Sequence, residues 1–261
     1  MILENHIAIT RSKSRHCYYV DMDRKRESER RRGYNQYCSA ARSLDVIGDR
    51  WTLLLIRDLL VGPKRYKDLL DGLPGIGTNL LADRLHELEA AGLISRRALP
   101  PPAGSTVYEL TDDGQALEPV VAALAWWGLR YVGRPRNGES HLPGPYFMAM
   151  RTTFRPEVAR KVKATFEFEI DDRYFMVQVN DGQCLTRQGH AERPDVALKL
   201  DIATFNALLL ERLSPADALA SGRVKLEGDP RGLHRFVRLF SFQTAQEHVK
   251  QGKTTPAGLT P

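Results

Sequence analysis

The sequence predicts two domains: an all-helical one closed by a two-stranded hairpin, then an α+β one built on an antiparallel-rich sheet. Three observations predict this. Leu81, Leu85 and Leu88 recur at helical spacing directly after the turn Pro74-Gly75-Ile76-Gly77. Beyond the Pro/Gly-rich stretch Gly133 to Pro145 the apolar period falls to two, with Val162, Ala164, Phe166, Phe168 and Ile170 alternating against Lys161, Lys163, Thr165, Glu167 and Glu169. The 261 residues give each domain room to bury its own core. The expected boundaries are an arm over 1–35, a first domain over 36–132, a linker over 133–150, a second domain over 151–245 and a tail over 246–261.

In chain order, Arg11 to Arg32 carries charges of both signs without a steady apolar period and reads as a flexible or loosely helical arm. Ser39 to Ile47 is a short helix with Ala40, Leu44 and Ile47 inward, closed by Gly48. Asp49 is placed to cap Trp51 to Leu60, a helix apolar on nearly all sides and therefore central. Val61-Gly62-Pro63 ends it. Lys64 to Leu70 follows as a basic helix with Leu69 and Leu70 inward, then the turn, then the leucine-faced helix, which Gly92 stops. Leu93 to Ala98 and Thr106 to Leu110 form a hairpin around Pro100 to Ser105. Two helices, a turn between them and a following hairpin make a winged helix-turn-helix. The last helix of the domain carries Leu117, Val121, Leu124 and Trp127 at intervals of three or four, while Val120, Ala123 and Trp126 widen the stripe beyond what one small core absorbs.

In the second domain, Asp171-Asp172 and Asn180-Asp181-Gly182 turn three successive strands, the second running from Arg173 to Val179 and the third from Gln183 to Gln188. Asp195 to Leu200 is a fourth strand and Arg223 to Glu227 a fifth. Ile202 to Arg212 is an amphipathic helix. Ser214-Pro215 and Asp229-Pro230 each pair a cap with proline at a helix start, the second ahead of Leu233 to Phe242.

The chemistry follows from what faces outward. A leucine-backed helix that fits the major groove would present Thr78, Asn79, Asp83 and His86 to base edges, while Lys64, Arg65, Lys67, Arg84, Arg96 and Arg97 would neutralise phosphate. Arg96 and Arg97 point to opposite faces of one strand, so at most one lines the DNA side. The loop Pro100 to Ser105 has no cation, which leaves base reading mainly to the helix. The surplus stripe, Leu117, Val120, Val121, Leu124, Trp126 and Trp127, suits a homodimer, because a palindromic site needs two readers about 34 Å apart; packing between the domains is the other use for Trp126 and Trp127. Lys and Arg total 38 against 32 Asp and Glu, a net +6 that permits a double-stranded DNA partner without requiring one.

Other function classes find little support. Cys17, Cys38 and Cys184 show no CxxC spacing, and His190, His234 and His248 lie far apart without a metal-ligand pattern, so neither metal, cofactor nor catalytic constellation is expected. Cys184 falls on a strand, where a buried inert thiol is the default. With no bilayer-length apolar run and no signal-peptide core, a soluble cytoplasmic protein without a membrane partner is expected. Phe166, Phe168, Phe175, Phe205, Phe236 and Phe240 supply a core, and an apolar cavity for a hydrophobic small molecule would use the same side chains.

The strings YCSAARSLDVIGDRWTLLLIRDLL, RYKDLLDGLPGIGTNLLADRLHELEAAGLISRR and YELTDDGQAL closely resemble the HxlR-type winged helix-turn-helix regulators, relatives of the MarR family, over Tyr37 to Val132. That resemblance implies a promoter-binding homodimer, a repressor rather than an activator, and a cysteine ahead of the first helix that senses oxidants in some members. Cys38 holds that position. The string LSPADALASGRVKLEGD and the strands before it resemble a sterol carrier protein type-2-like domain over Thr153 to Ser241, which implies an apolar ligand held between a five-stranded sheet and helices. Two rival functions stay open here: a second domain that is purely structural or dimerising, and a protein that is mainly a lipid carrier.

Overall fold

The computed structural model describes residues 33–100, 104–132, 139 and 142–251. The expected arm up to residue 32, Cys17, the wing tip at 101–103, residues 133–138 and 140–141 of the linker and the last ten residues lie outside the described residues. The chain divides into two compact units, Met1–Asp49 and Arg50–Pro261.

In the first unit, α1 spans Ser39–Ile47. Its buried residues are Ala41 and Ile47, whereas Leu44 is 46 % exposed and Ala40 is exposed as well. The expected inward face was thus misphased at its start, where one residue is worth 100° of helix rotation. Gly48 closes the helix by fit: a Cβ there would stand 2.4 Å from the Leu44 carbonyl oxygen.

The second unit opens with α2, Thr52–Leu60, whose Leu55, Ile56, Leu59 and Leu60 are buried as its apolar composition requires. Its N-cap is Trp51 and not Asp49, with Trp51 at φ 80°, a left-handed conformation that non-glycine residues rarely adopt. β1 is Lys64–Arg65, and the basic helix expected from Lys64 begins only at Tyr66. The cause is strand pairing: Lys64 and Arg65 lie opposite Tyr108 and Val107. α3, Tyr66–Gly72, then starts on a capping arrangement in which the Arg65 N–H donates to the Asp68 carboxylate at 3.1 Å. α4 is Thr78–Ala90, β2 Ile94–Ala98 and β3 Thr106–Leu110. The wing is therefore a three-stranded antiparallel sheet in the order β1-β3-β2, one strand more than expected. Thr111 caps α5, Asp112–Gln115, by accepting from the Gly114 N–H at 3.2 Å, and α6 follows as Glu118–Gly128.

α7, Pro143–Thr153, occupies residues expected to be linker. Beyond it β4 (Lys163–Ile170), β5 (Arg173–Asn180), β6 (Gln183–Gln188), β7 (Val196–Leu200) and β8 (Lys225–Gly228) make a sheet in the order β6-β5-β4-β7-β8, parallel only between β4 and β7. Both predicted hairpin turns carry the positive φ they need, 49° and 59° at Asp171 and Asp172 and 45° and 82° at Asp181 and Gly182. The crossover from β7 to β8 runs through α8, Ile202–Leu209, and α9, Pro215–Ala220, capped by Asp201 and Ser214 respectively. α10 is Gly232–Leu239, and α11, Phe242–Lys250, continues into the stretch expected to be tail. Gly232 is fixed by the sheet beneath it, because a Cβ there would lie 2.3 Å from the Val196 side chain.

Candidate functional site

α4 has two faces of opposite chemistry. Leu81, Leu85 and Leu88 are each at most 2 % exposed, and burying each contributes about 1.5–3 kcal/mol to holding the helix in place. Thr78, Asn79, Asp83 and His86 are all exposed on the other side, the first two in the opening turn. Their donors and acceptors are the kinds that read base edges.

The expected phosphate contacts divide. Arg65 and Lys67 are exposed at the start of α3. Arg96 and Arg97 are exposed but already paired, Arg96 with Glu89 at 2.9 Å and Arg97 with both oxygens of Glu109 at 2.9 to 3.0 Å. Lys64 is a correction: it is 8 % exposed and donates to the Gln188 side chain of β6. Burial pushes its pKa down, against the attraction of the neighbouring Asp58. Asp58 is itself buried, accepts from Arg57 Nε at 2.9 Å, and has its pKa pushed up by burial. A lysine spent in this buried cluster has no reach to a phosphate. Arg84 is the second correction, since it turns back onto Glu87 and the Arg50 carbonyl.

The proposed dimer stripe is likewise reassigned in part. Val121 and Trp126 are each 5 % exposed and belong to the protomer's own core, while Leu117 is half-buried. The face left in solvent is Val120, Leu124, Trp127 and Tyr131, at 46, 48, 49 and 67 % exposure. These residues follow a spacing of four, three and four and form one apolar row, extended by the Arg130 guanidinium 5.3 Å from the Trp127 ring.

Cys38 is the exposed N-cap of α1, and the backbone N–H groups of Ala41 and Ala40 lower its thiol pKa. Cys184, on β6, is the opposite case: burial pushes its thiol up to about 12. Among the described residues no group of three His, Cys, Asp or Glu side chains is placed to hold a metal ion, and no helix is long and apolar enough to cross a membrane.

The six phenylalanines expected as core, or as the lining of an apolar cavity, converge, each at most 1 % exposed. Phe168, Phe236 and Phe240 meet in a chain of tilted rings with centroids 4.7 and 4.9 Å apart, and Phe166 meets Phe236 edge-on at 5.4 Å. A seventh ring completes the cluster. Phe147 of α7 lies flat on Phe175 at 4.3 Å and 7°, nearly parallel to Phe205 at 5.4 Å and 15°, and edge-on to Phe168 at 5.6 Å. Sequence reading missed Phe147 because it follows a Pro/Gly stretch; the signal was the unbroken run Pro145-Tyr146-Phe147-Met148-Ala149-Met150, too apolar for a solvated linker.

Polar bonds join the winged helix to the sheet domain. The Gln188 N–H donates to the Val61 carbonyl at 2.7 Å, Arg151 of α7 pairs with Glu118 of α6, and the Gln246 amide donates to the Val132 carbonyl at 3.0 Å.

Comparison with known proteins assigns both halves. The model of the HxlR-like helix-turn-helix family matches residues 46–136, and that of the SCP-2 sterol transfer family matches residues 150–241. The HTH-type transcriptional regulator YodB of Bacillus subtilis is 36 % identical over 94 residues, which is 36 % of this chain and 84 % of YodB. The uncharacterized HTH-type transcriptional regulator YvaP of the same organism is 31 % identical over 91 residues, 35 % of this chain and 84 % of YvaP. Among solved structures, the reduced form of YodB is 32 % identical, covering 39 % of this chain and 100 % of that one with a TM-score of 0.33. With α4 exposed for reading, a wing behind it and relatives matched over most of their own length, the chain belongs to the HxlR-like helix-turn-helix regulators, MarR-type winged-helix proteins, and carries a domain of the SCP-2 sterol transfer family as its second half.

Proposed function

We propose that this protein is a homodimeric transcriptional repressor that binds a palindromic promoter site and responds to an apolar effector in its sheet domain. The observation that carries the reading is α4 itself, with buried leucines behind Thr78, Asn79, Asp83 and His86. Thr78 and Asn79 meet base edges first, Asp83 accepts from cytosine N4, and His86 reads further along the groove. Arg65 and Lys67 hold phosphate directly; Arg96 and Arg97 do so by exchanging Glu89 and Glu109 for phosphate oxygens. The row Val120, Leu124, Trp127 and Tyr131 is the dimer contact, which sets two copies of α4 at the spacing of successive major grooves. Repression is the sense implied by the family resemblance. Cys38, exposed and with a lowered thiol pKa, is the candidate oxidant sensor.

The effector acts by binding DNA-competent and DNA-incompetent dimers with different affinity. A second reading, in which the sheet domain only braces the reader, is favoured by the ring-to-ring packing of its core. The test is titration of the purified protein against its own upstream DNA and against scrambled DNA of equal length at two salt concentrations. A preference of about a thousandfold or more for the upstream duplex is expected of a sequence reader. Equal affinities that both vanish with salt would leave phosphate attraction alone and refute site-specific binding there.

A further inference from the structure

Phe147 reaches the aromatic cluster from α7, the helix that precedes the sheet in the chain. It is fully buried, between the nearly parallel faces of Phe175 and Phe205 with Phe168 across its edge. The seat is a slot, shaped for a flat conjugated ring and poorly matched to a saturated one. The helix that delivers the ring is weak by its own sequence. Its second residue is Gly144, and no side chain caps its N-terminus. Docking, rather than propensity, keeps it in place.

One further feature marks the seat as one that α7 can leave, and another shows what a replacement must supply. Its first turn is loosely covered: Leu142, Pro145 and Tyr146 form one wall of an open cleft of about 260 Å³ whose other wall includes Trp51, Leu54 and Leu73 of the winged helix. Beside Phe147, the Tyr146 phenol is hydrogen-bonded to the Asn206 side chain of α8. If α7 withdraws, it vacates a flat aromatic slot and removes the hydroxyl that Asn206 now meets. A phenol supplies both groups in one molecule.

We infer that α7 is a built-in competitor for the effector seat of the sheet domain, and that the effector is a small flat phenolic compound which replaces the Phe147 ring and the Tyr146 hydroxyl. The inference rests on the effector reading proposed above and narrows it from any apolar molecule to this class. It also supplies a route to the DNA reader, because the displaced helix carries Arg151, the partner of Glu118 on α6, whose outer face holds the proposed dimer row.

The test uses the full chain with p-cresol as the probe, 4-methylcyclohexanol as its non-flat counterpart and palmitate as a lipid-type control, each titrated calorimetrically. Wild type binds p-cresol with at least tenfold preference over 4-methylcyclohexanol, and binding deprotects the amides of residues 143–153 in hydrogen exchange. Phe147→Ala removes the competitor and binds p-cresol at least tenfold more tightly than wild type. Where circular dichroism shows that the alanine variant does not fold, Phe147→Leu gives the same comparison with a smaller loss of packing. Absence of p-cresol binding to wild type, unchanged exchange across α7, equal affinity in wild type and variant, or a palmitate affinity that rises in the variant while that for p-cresol does not, would each overturn the inference. Operator affinity is measured separately by anisotropy with and without p-cresol. Loss of specific DNA binding with p-cresol competition intact would refute the regulator reading and leave the displaced helix standing.

Discussion

The two described cysteines should differ in reactivity by orders of magnitude, and the difference decides which of them can report on oxidants. Burial raises the Cys184 thiol from an ordinary 9.0 to about 12. At neutral pH that leaves about a thousandfold less thiolate than an ordinary cysteine carries, and the thiolate is the species that reacts. Cys38 moves the other way, lowered by the amides of Ala41 and Ala40 at the start of α1. In a Cys17→Ser background, iodoacetamide labelling of the folded protein near pH 7.5, followed by peptide mass spectrometry, should modify Cys38 first and Cys184 at least about a thousandfold more slowly. Labelling of Cys184 within tenfold of Cys38 would refute the reasoning. The same burial has a stability consequence of definite sign. A folded pKa raised above the unfolded one contributes stability in full below pH 9, and that contribution is lost as pH rises from 9 towards 12. Between pH 7.5 and pH 10, wild type should lose about 1.4 kcal/mol more than Cys184→Ala in urea unfolding. Equal losses in the two proteins would show that the thiol is solvated.

Three further outcomes test the surfaces. Trp127→Glu should convert the dimer to monomer in analytical ultracentrifugation and weaken operator binding at least tenfold, with helical content unchanged; a dimer that persists places the interface elsewhere. Asn79→Ala should cost about 1–3 kcal/mol of discrimination, five- to 150-fold, between operator and scrambled DNA while leaving non-specific affinity alone; a uniform loss on both duplexes would make Asn79 a phosphate contact. Lys67→Met should reduce the salt slope of DNA binding by about one for each bound copy. Lys64→Met should leave the slope unchanged and instead lower stability by about 1–3 kcal/mol, because it strips a partner from Gln188 and a compensating charge from Asp58. A changed slope in the Lys64 variant would return that residue to the DNA face.

The sequence was most legible where one local rule acts alone. The leucine spacing of α4, the alternation of β4, the Asp171-Asp172 and Asp181-Gly182 turns and the Ser214-Pro215 cap each declare themselves within a few residues, and each stands where expected. What stayed hidden depends on partners distant in sequence. Lys64 reads as a surface cation until Tyr108 pairs with its backbone and Gln188, more than a hundred residues away, meets its ammonium. Trp126 and Trp127 are indistinguishable by type, yet a 100° step buries the first and leaves the second in solvent. Trp51 was misread for a different reason: its left-handed backbone contradicts its own preference, and only the surrounding fold sustains it. The base-contact candidates were legible because exposure on a leucine-backed helix follows from periodicity. Phe147 was not, since composition placed its helix in a linker.

The polar links between the winged helix and the sheet domain carry a consequence for modularity. Gln188 bonds the Val61 carbonyl that ends α2, Arg151 bonds Glu118 at the start of α6, and Gln246 bonds the Val132 carbonyl just past its end. Two segments that look like interchangeable cassettes in the sequence are thereby made to share one stability. Cutting them apart takes Gln188 away from both Lys64 and the Val61 carbonyl, so the reader on its own is a poorer protein than the reader in place. A transplanted sheet domain inherits the same debt unless the residues of the joint travel with it. What looks like a fusion of two parts therefore has to evolve as one.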